Sequence, residues 1–171
     1  MMRDKFNVVL ADPSYDPVLR NLFEFYLHDL AEWFNFEQLP EGNYTQSTEQ
    51  YWGQGHDVYL LYAGKIPIGF GLVGPGDEWL PGSEAKDMDE FFVVRRHRRN
   101  GVGSEFASYL WHRHPGPWLV RVFQPNLPAL PFWRKTISEF SDGRFEEGVL
   151  QKNGHPWAHF TFDSRDAQRT T

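Results

Sequence analysis

The chain has 171 residues and no cysteine. That excludes a disulfide framework, a thiolate nucleophile and a zinc site built on sulfur. It also lacks an apolar run of 18 residues, the length a helix needs to cross a bilayer, so no membrane span is predicted. Its first residues lack the apolar stretch of a signal peptide. Positive charge is in deficit: 17 Lys and Arg against 23 Asp and Glu leave a net charge of -6, which argues against general nucleic-acid binding. These absences lead us to expect a cytoplasmic protein. What the chain has in quantity is aromatic surface: 15 Phe, 7 Trp and 7 Tyr supply bulky material for a core and for pocket walls. A chain of this size is expected to form one domain and to bury about 70% of its unfolded surface.

Hydrophobic periodicity and turn chemistry divide the chain into elements. Residues 6–10 read as a strand. Asp16 and Pro17 make an N-cap and first-turn pair that opens a helix predicted to run to about Phe34. Leu19, Leu22, Phe23, Tyr26 and Leu30 recur along it at helical spacing. Residues 35–55 are polar and are expected to form a loop with a short helix around residues 48–52. Residues 58–62 and 66–73 form a predicted hairpin about Ala63-Gly64-Lys65, followed by a turn region and a central strand ending at Val94. A helix over residues 101–114 is halted by Pro115-Gly116-Pro117. A strand over 118–123, a helix over 127–140 and a hairpin turning at Asn153-Gly154 follow. There is no internal repeat and no linker. Residues 1–163 are therefore expected to form one α/β unit around a mixed sheet, with 164–171 a frayed polar tail.

The most informative segment reads Phe91-Phe92-Val93-Val94-Arg95-Arg96-His97-Arg98-Arg99-Asn100-Gly101-Val102-Gly103-Ser104. Its opening residues suit a buried strand. Gly101 and Gly103 lack a Cβ, so a ligand can approach the backbone N–H groups there. The helix that follows offers unpaired N–H groups and the positive end of its dipole to an anion. Strand, two-glycine turn and helix start together make a phosphate cradle. A Walker loop needs Gly-Lys-Ser/Thr, which the chain does not contain. A dinucleotide fingerprint needs a third small residue where Phe106 stands. It also needs an acid about 20 residues on, where the chain has Phe123-Gln124-Pro125-Asn126. The run Arg98-Arg99-Asn100-Gly101-Val102-Gly103 instead fits the pattern Arg/Gln-x-x-Gly-x-Gly/Ala.

That pattern resembles the pyrophosphate loop of the GNAT superfamily of acetyl-CoA-dependent N-acetyltransferases. Two further stretches carry the same likeness. Asn126-Leu127-Pro128-Ala129-Leu130-Pro131-Phe132-Trp133 is similar to the Asn-x-x-Ala helix that lines the CoA arm, and Gly64 to Val73 is similar to the preceding turn and strand. The Phe-Trp-Arg-Lys segment and Phe25-Tyr26-Leu27-His28-Asp29 also look like a bacterial subgroup of predicted acetyltransferases.

The resemblance implies a mixed central sheet of about six to seven strands flanked by about four helices. It implies acetyl-CoA as cosubstrate, no metal, and transfer to a primary amine by direct attack in a ternary complex. Cofactor contacts carried over from the motifs are Phe92, Val93, Val94, Arg98, Arg99, Asn100, Gly101, Val102, Gly103, Ser104, Asn126, Ala129, Phe132 and Trp133. The pantetheine arm is expected to pair with backbone at Val93 and Val94 like an added strand.

Acetylation needs an unprotonated amine, and a lysine-like amine of pKa about 10.4 is free base in roughly one molecule in two thousand at neutral pH. A carboxylate that removes the proton in place solves this. Glu90, Asp89 and Asp87 are the candidates, with Glu90 favoured; alternation along a strand puts Asp87 and Asp89 on one face and Glu90 on the other. The chain departs from the family at Trp133, where many members carry a tyrosine that protonates the leaving thiolate. An indole N–H does not serve as such an acid, and Tyr109 and Tyr62 are the alternatives. The departure keeps a second reading open, a CoA or acyl-CoA sensor without turnover.

Tyr26, Asp29 and Trp33 are either core packing or one wall of an acceptor pocket, and Trp52 and Trp79 are further acceptor candidates. His112 and His114, two apart on a helix, do not share a face, so no metal site is expected. The basic run 95–99 is better explained by phosphate than by nucleic acid. The acceptor is expected to be a small-molecule or peptide amine, and paired protomers are frequent in the superfamily, so a homodimer is among the expected partners.

Overall fold

The structure, a computed structural model, describes residues 6–45, 47–53 and 55–167. Seven strands and three α-helices are formed by them: β1 (Phe6–Leu10), α1 (Asp16–Leu30), β2 (Asp57–Ala63), β3 (Ile66–Pro75), β4 (Lys86–Val93), α2 (Val102–Arg113), β5 (Pro117–Phe123), α3 (Ala129–Ser141), β6 (Glu146–Lys152) and β7 (His155–Asp163). The strands join one sheet in the order β1-β2-β3-β4-β5-β7-β6. It is mixed: β4 and β5 run parallel, while β1–β2, β5–β7 and β6–β7 are antiparallel. The expected strand number is met. The expected fourth helix is not among the described residues, because the polar stretch after α1 supplies only a 3₁₀ turn at Glu49–Tyr51.

Tertiary contacts group the chain into two compact units. The described residues up to Leu72 form the first together with Glu90–Phe106, and Val73–Asp89 form the second with those from Ala107 onward. In the first unit, α1 lays Leu19, Leu22 and Phe23 against Val58 and Leu60 of β2, Phe70 and Leu72 of β3, and Phe92 of β4. Phe23 stacks on Phe70 at 4.7 Å between ring centres. Asp16 is the first residue of α1 rather than its N-cap. Its carboxylate accepts from Thr48 Oγ1 and, at 2.7 Å, from Trp52 Nε1, so it fastens the 48–52 turn to the helix start. The helix also ends sooner than its sequence suggests. Past Leu30 the chain tightens into a turn in which the N–H groups of Trp33 and Phe34 both donate to the Leu30 carbonyl.

Gly69 marks a close approach of two backbones, since a Cβ built there would overlap the carbonyl oxygen of Phe92. Main chain cannot swing aside as a flexible side chain can. Gly69→Ala is therefore expected to destabilise the protein by on the order of 3 kcal/mol, read as a lower urea midpoint.

In the second unit, Trp111 of α2 is fully buried and meets Phe140 of α3 at 4.7 Å and Phe162 of β7 at 5.0 Å between ring centres. The β6–β7 hairpin turns on Asn153 (φ 53°) and Gly154 (φ 75°), both left-handed as a two-residue primed turn requires. The tail does not fray from its first residue. Ser164 is buried, its hydroxyl accepts from the N–H of Gly116 at 3.0 Å, and its own N–H donates to the Gly116 carbonyl at 2.9 Å. Residues 168–171 of the expected tail, and 1–5 of the expected domain, lie outside the described residues.

Candidate functional site

The loop singled out by sequence lies in the first unit. β4 ends at Val93, a 3₁₀ turn occupies Arg95–His97, and α2 starts at Val102. Between them Arg99 (φ 63°) and Gly101 (φ 88°) adopt left-handed conformations, which turn the chain sharply into the helix. Arg99 holds that conformation although it carries a Cβ, which is uncommon and costly. The Asn100 side chain accepts from the N–H of Val102 at 3.2 Å, and Gly101 O accepts from the N–H of Glu105 at 3.0 Å. A Cβ at Gly101 would meet only Glu105 Oε1, at 3.8 Å, so the loop's outer side is open. A left-handed turn feeding a helix start presents backbone N–H groups to an anion. The described geometry thus fits a diphosphate.

The basic side chains of the loop are partly committed elsewhere. Asp29, in the last turn of α1, receives both Arg95 and Arg98: Arg95 Nη2 lies 2.7 Å from Oδ1 and Arg98 Nη2 lies 2.6 Å from Oδ2. Arg98 Nε also donates to the Val93 carbonyl at 2.6 Å, and its guanidinium stands 5.3 Å above the Phe92 ring centre. Phe92 itself is core. Val94 donates its N–H to Ile68 O of β3 at 2.8 Å, so by strand alternation the N–H and C=O of Val93 point away from β3.

Glu90 and Tyr26, 64 positions apart in sequence, are joined by a hydrogen bond from the tyrosine hydroxyl to Glu90 Oε2. Both are half-buried. Trp33 is half-buried just past α1. Tyr62, named as an alternative acid, has its pKa raised by burial, which weakens it as a proton donor.

The other two carboxylates lie in the second unit and share one cation. Arg121 of β5 binds Asp87 through Nε, at 3.0 and 2.9 Å to the two oxygens, and through Nη2; the same Nη2 reaches Asp89 Oδ1 at 2.9 Å. The guanidinium also stacks over Trp79, 4.1 Å from its ring centre, and Lys152 Nζ lies 3.9 Å from that centre. Trp79 is therefore a packed anchor. Asp87 is only 2% exposed. Burial pushes its pKa up to about 6, against the pull of Arg121.

A group whose folded pKa exceeds its unfolded value binds more protons in the native state between the two. Its stabilising contribution is full below the unfolded value of about 3.8 and is lost as pH rises through about 6. Thermal melts from pH 4 to 7 are therefore expected to show a stability component that declines with rising pH and is missing in Asp87→Asn. Equal slopes in both proteins would refute the assignment.

Sequence reasoning passed over Arg121, though a signal existed. It is the one charged residue of an otherwise apolar strand, Trp118-Leu119-Val120-Arg121-Val122-Phe123, and a buried cation demands a carboxylate. Of the remaining motif residues, Asn126 accepts at its carbonyl from the N–H of Ala129 at 3.1 Å, which starts α3. Phe132 is half-buried, and Trp133, 7% exposed, packs 6.4 Å from Trp111. Among the described residues no three His, Asp or Glu gather in a way that could hold a metal.

Against known proteins, a family-wide sequence profile described as the Acetyltransferase (GNAT) family matches residues 23–137. No curated protein matches the chain. Among solved structures, an aminoglycoside N(6')acetyltransferase from Legionella pneumophila is similar at a TM-score of 0.68 and 14% identity, covering 100% of this chain and 99% of that one. A spermidine N-acetyltransferase from Vibrio cholerae, in complex with CoA and spermine, is similar at 0.66 and 12%, covering 97% and 99%. A ribosomal-protein-alanine N-acetyltransferase from Brucella melitensis is similar at 0.63 and 19%, covering 92% and 99%. Identities this low carry the fold and no more.

Proposed function

The chain belongs to the GNAT acetyltransferase family, and on that premise we propose that it moves the acetyl group of acetyl-CoA onto a primary amine by direct attack. The observation that carries the proposal is the loop from Arg98 to Ser104, where left-handed Arg99 and Gly101 feed the start of α2. Its backbone donors suit the pyrophosphate of the cosubstrate, and exposed Arg96 and Arg99 add charge. Val93 is the better backbone partner for the pantetheine amides, because the N–H of Val94 is already given to Ile68. Its carbonyl keeps a second lone pair beside the bond from Arg98. Asn126, ahead of α3, and Ala129, Phe132 and Trp133 within it are proposed as CoA-arm contacts, within one GNAT domain over residues 1–163.

Glu90 is assigned the general base. Asp87 and Asp89 are both engaged by Arg121, and Asp87, although its pKa is raised, is 2% exposed, so an acceptor amine does not reach it. In the step, the acceptor's ammonium gives one proton to Glu90, and the freed nitrogen forms a bond to the thioester carbonyl carbon. The nitrogen sheds its second proton to solvent, the C–S bond breaks, and the leaving thiolate takes a proton from water. Trp133, buried among rings, supplies none. Acceptors borne by structural relatives, spermine with one and an aminoglycoside or a ribosomal-protein alanine named for others, support an amine.

The test combines calorimetry with coenzyme A and a thiol-release screen with acetyl-CoA over small amines, aminoglycosides, polyamines and peptides. Saturable CoA binding with turnover on at least one amine is expected. The position of Trp133 favours a second reading, a CoA or acyl-CoA sensor; saturable binding with no turnover on any amine would select it.

A further inference from the structure

We propose that Tyr26 is a positioning residue for Glu90, an inference that rests on the reading of Glu90 as general base. The tyrosine's hydroxyl donates to Glu90 Oε2, and its ring leaves that hydroxyl little freedom. Phe23 meets it edge-on at 5.6 Å, Phe70 edge-on at 5.5 Å and Phe92 at a tilt at 5.8 Å between ring centres. Phe23 and Phe92 are buried and Phe70 is completely so. Three fixed rings from α1, β3 and β4 thus hold one phenol at one place, and the phenol in turn holds one oxygen of the carboxylate.

That arrangement has a consequence for proton removal. A glutamate carries three side-chain torsions, and the bond from Tyr26 restricts the carboxylate that is to receive the amine's proton. Tyr26 therefore acts through Glu90 and does not itself touch the acceptor. As an acceptor wall, its loss would weaken amine binding; as a positioning residue, its loss slows the chemical step.

Tyr26→Phe keeps the ring and its three aromatic contacts, so the fold is retained. Steady-state acetylation is measured for the wild type, Tyr26→Phe, Glu90→Gln and the double variant, with CoA affinity taken by calorimetry for each. The expected result is a roughly tenfold or greater fall in kcat for Tyr26→Phe, with amine KM and CoA affinity changed less than about twofold. In the Glu90→Gln background the same substitution is expected to cost nothing, because the base it positions is gone. A raised KM with unchanged kcat, or full additivity of the two substitutions, would each overturn the inference while leaving the transferase reading intact. Absence of turnover by the wild type on every amine would overturn both, and is distinguished by being seen without any substitution.

Discussion

Replacing Glu90 by glutamine is expected to lower kcat for amine acetylation by about 100- to 10,000-fold at neutral pH, with CoA affinity unchanged. The amide has the same shape and still accepts the hydrogen bond from Tyr26, so the cost is chemical, not structural. What disappears is the only proton acceptor proposed for the ammonium. The variant must then wait for the roughly one molecule in two thousand of a lysine-like acceptor that is already free base at pH 7. Its deficit should shrink about tenfold per pH unit as the medium is made more alkaline, since solvent then does what the carboxylate did. Thiol release followed from pH 6.5 to 9.5 reads this directly. Wild-type turnover in the glutamine variant at neutral pH would remove Glu90 from the reaction and return attention to Asp89.

The second large effect belongs to the loop. Gly103→Val is expected to weaken CoA binding at least 100-fold in calorimetry while leaving the melting temperature within a few degrees. Gly103 lies inside α2, one residue past its start, where the helical backbone suits valine and glycine is the poorer helix former. Its branched side chain, however, stands over N–H groups proposed to grip the diphosphate, and charge-assisted bonds to those groups are lost outright. Gly101 is the less clean position. Its φ of 88° penalises any residue with a Cβ, so substitution there mixes backbone strain with lost binding. Unchanged affinity in Gly103→Val would count against the phosphate assignment even if the enzyme proved active.

How far the sequence could be read depended on how local the cause was. The turn at Asn153-Gly154 was legible because two adjacent left-handed residues need Asn and Gly in that order. The cradle was legible for the same kind of reason, a handful of contiguous residues with special backbone demands. The end of α1 was not: apolar spacing continues through Trp33 and Phe34, while the chain turns back at Leu30. Ser164 looked like the start of a solvated tail, and only the fold brings it to Gly116, 48 positions away. The pairing of Tyr26 with Glu90 and the capture of Asp87 and Asp89 by Arg121 are likewise long-range. Three neighbouring acids that a sequence offers for one role are separated by partners that lie far along the chain.

Asp29 changes what the loop's arginines can do at a distance. Two of them, Arg95 and Arg98, share one carboxylate that is 16% exposed, so half of their charge is offset on that flank. Diffusive capture of a polyanion from several ångströms away therefore draws on what remains of that charge together with the exposed cations of Arg96 and Arg99. Stiffness, more than attraction, is what Arg98 contributes: a strut between the end of one helix and the carbonyl of Val93, keeping the turn in shape before anything arrives.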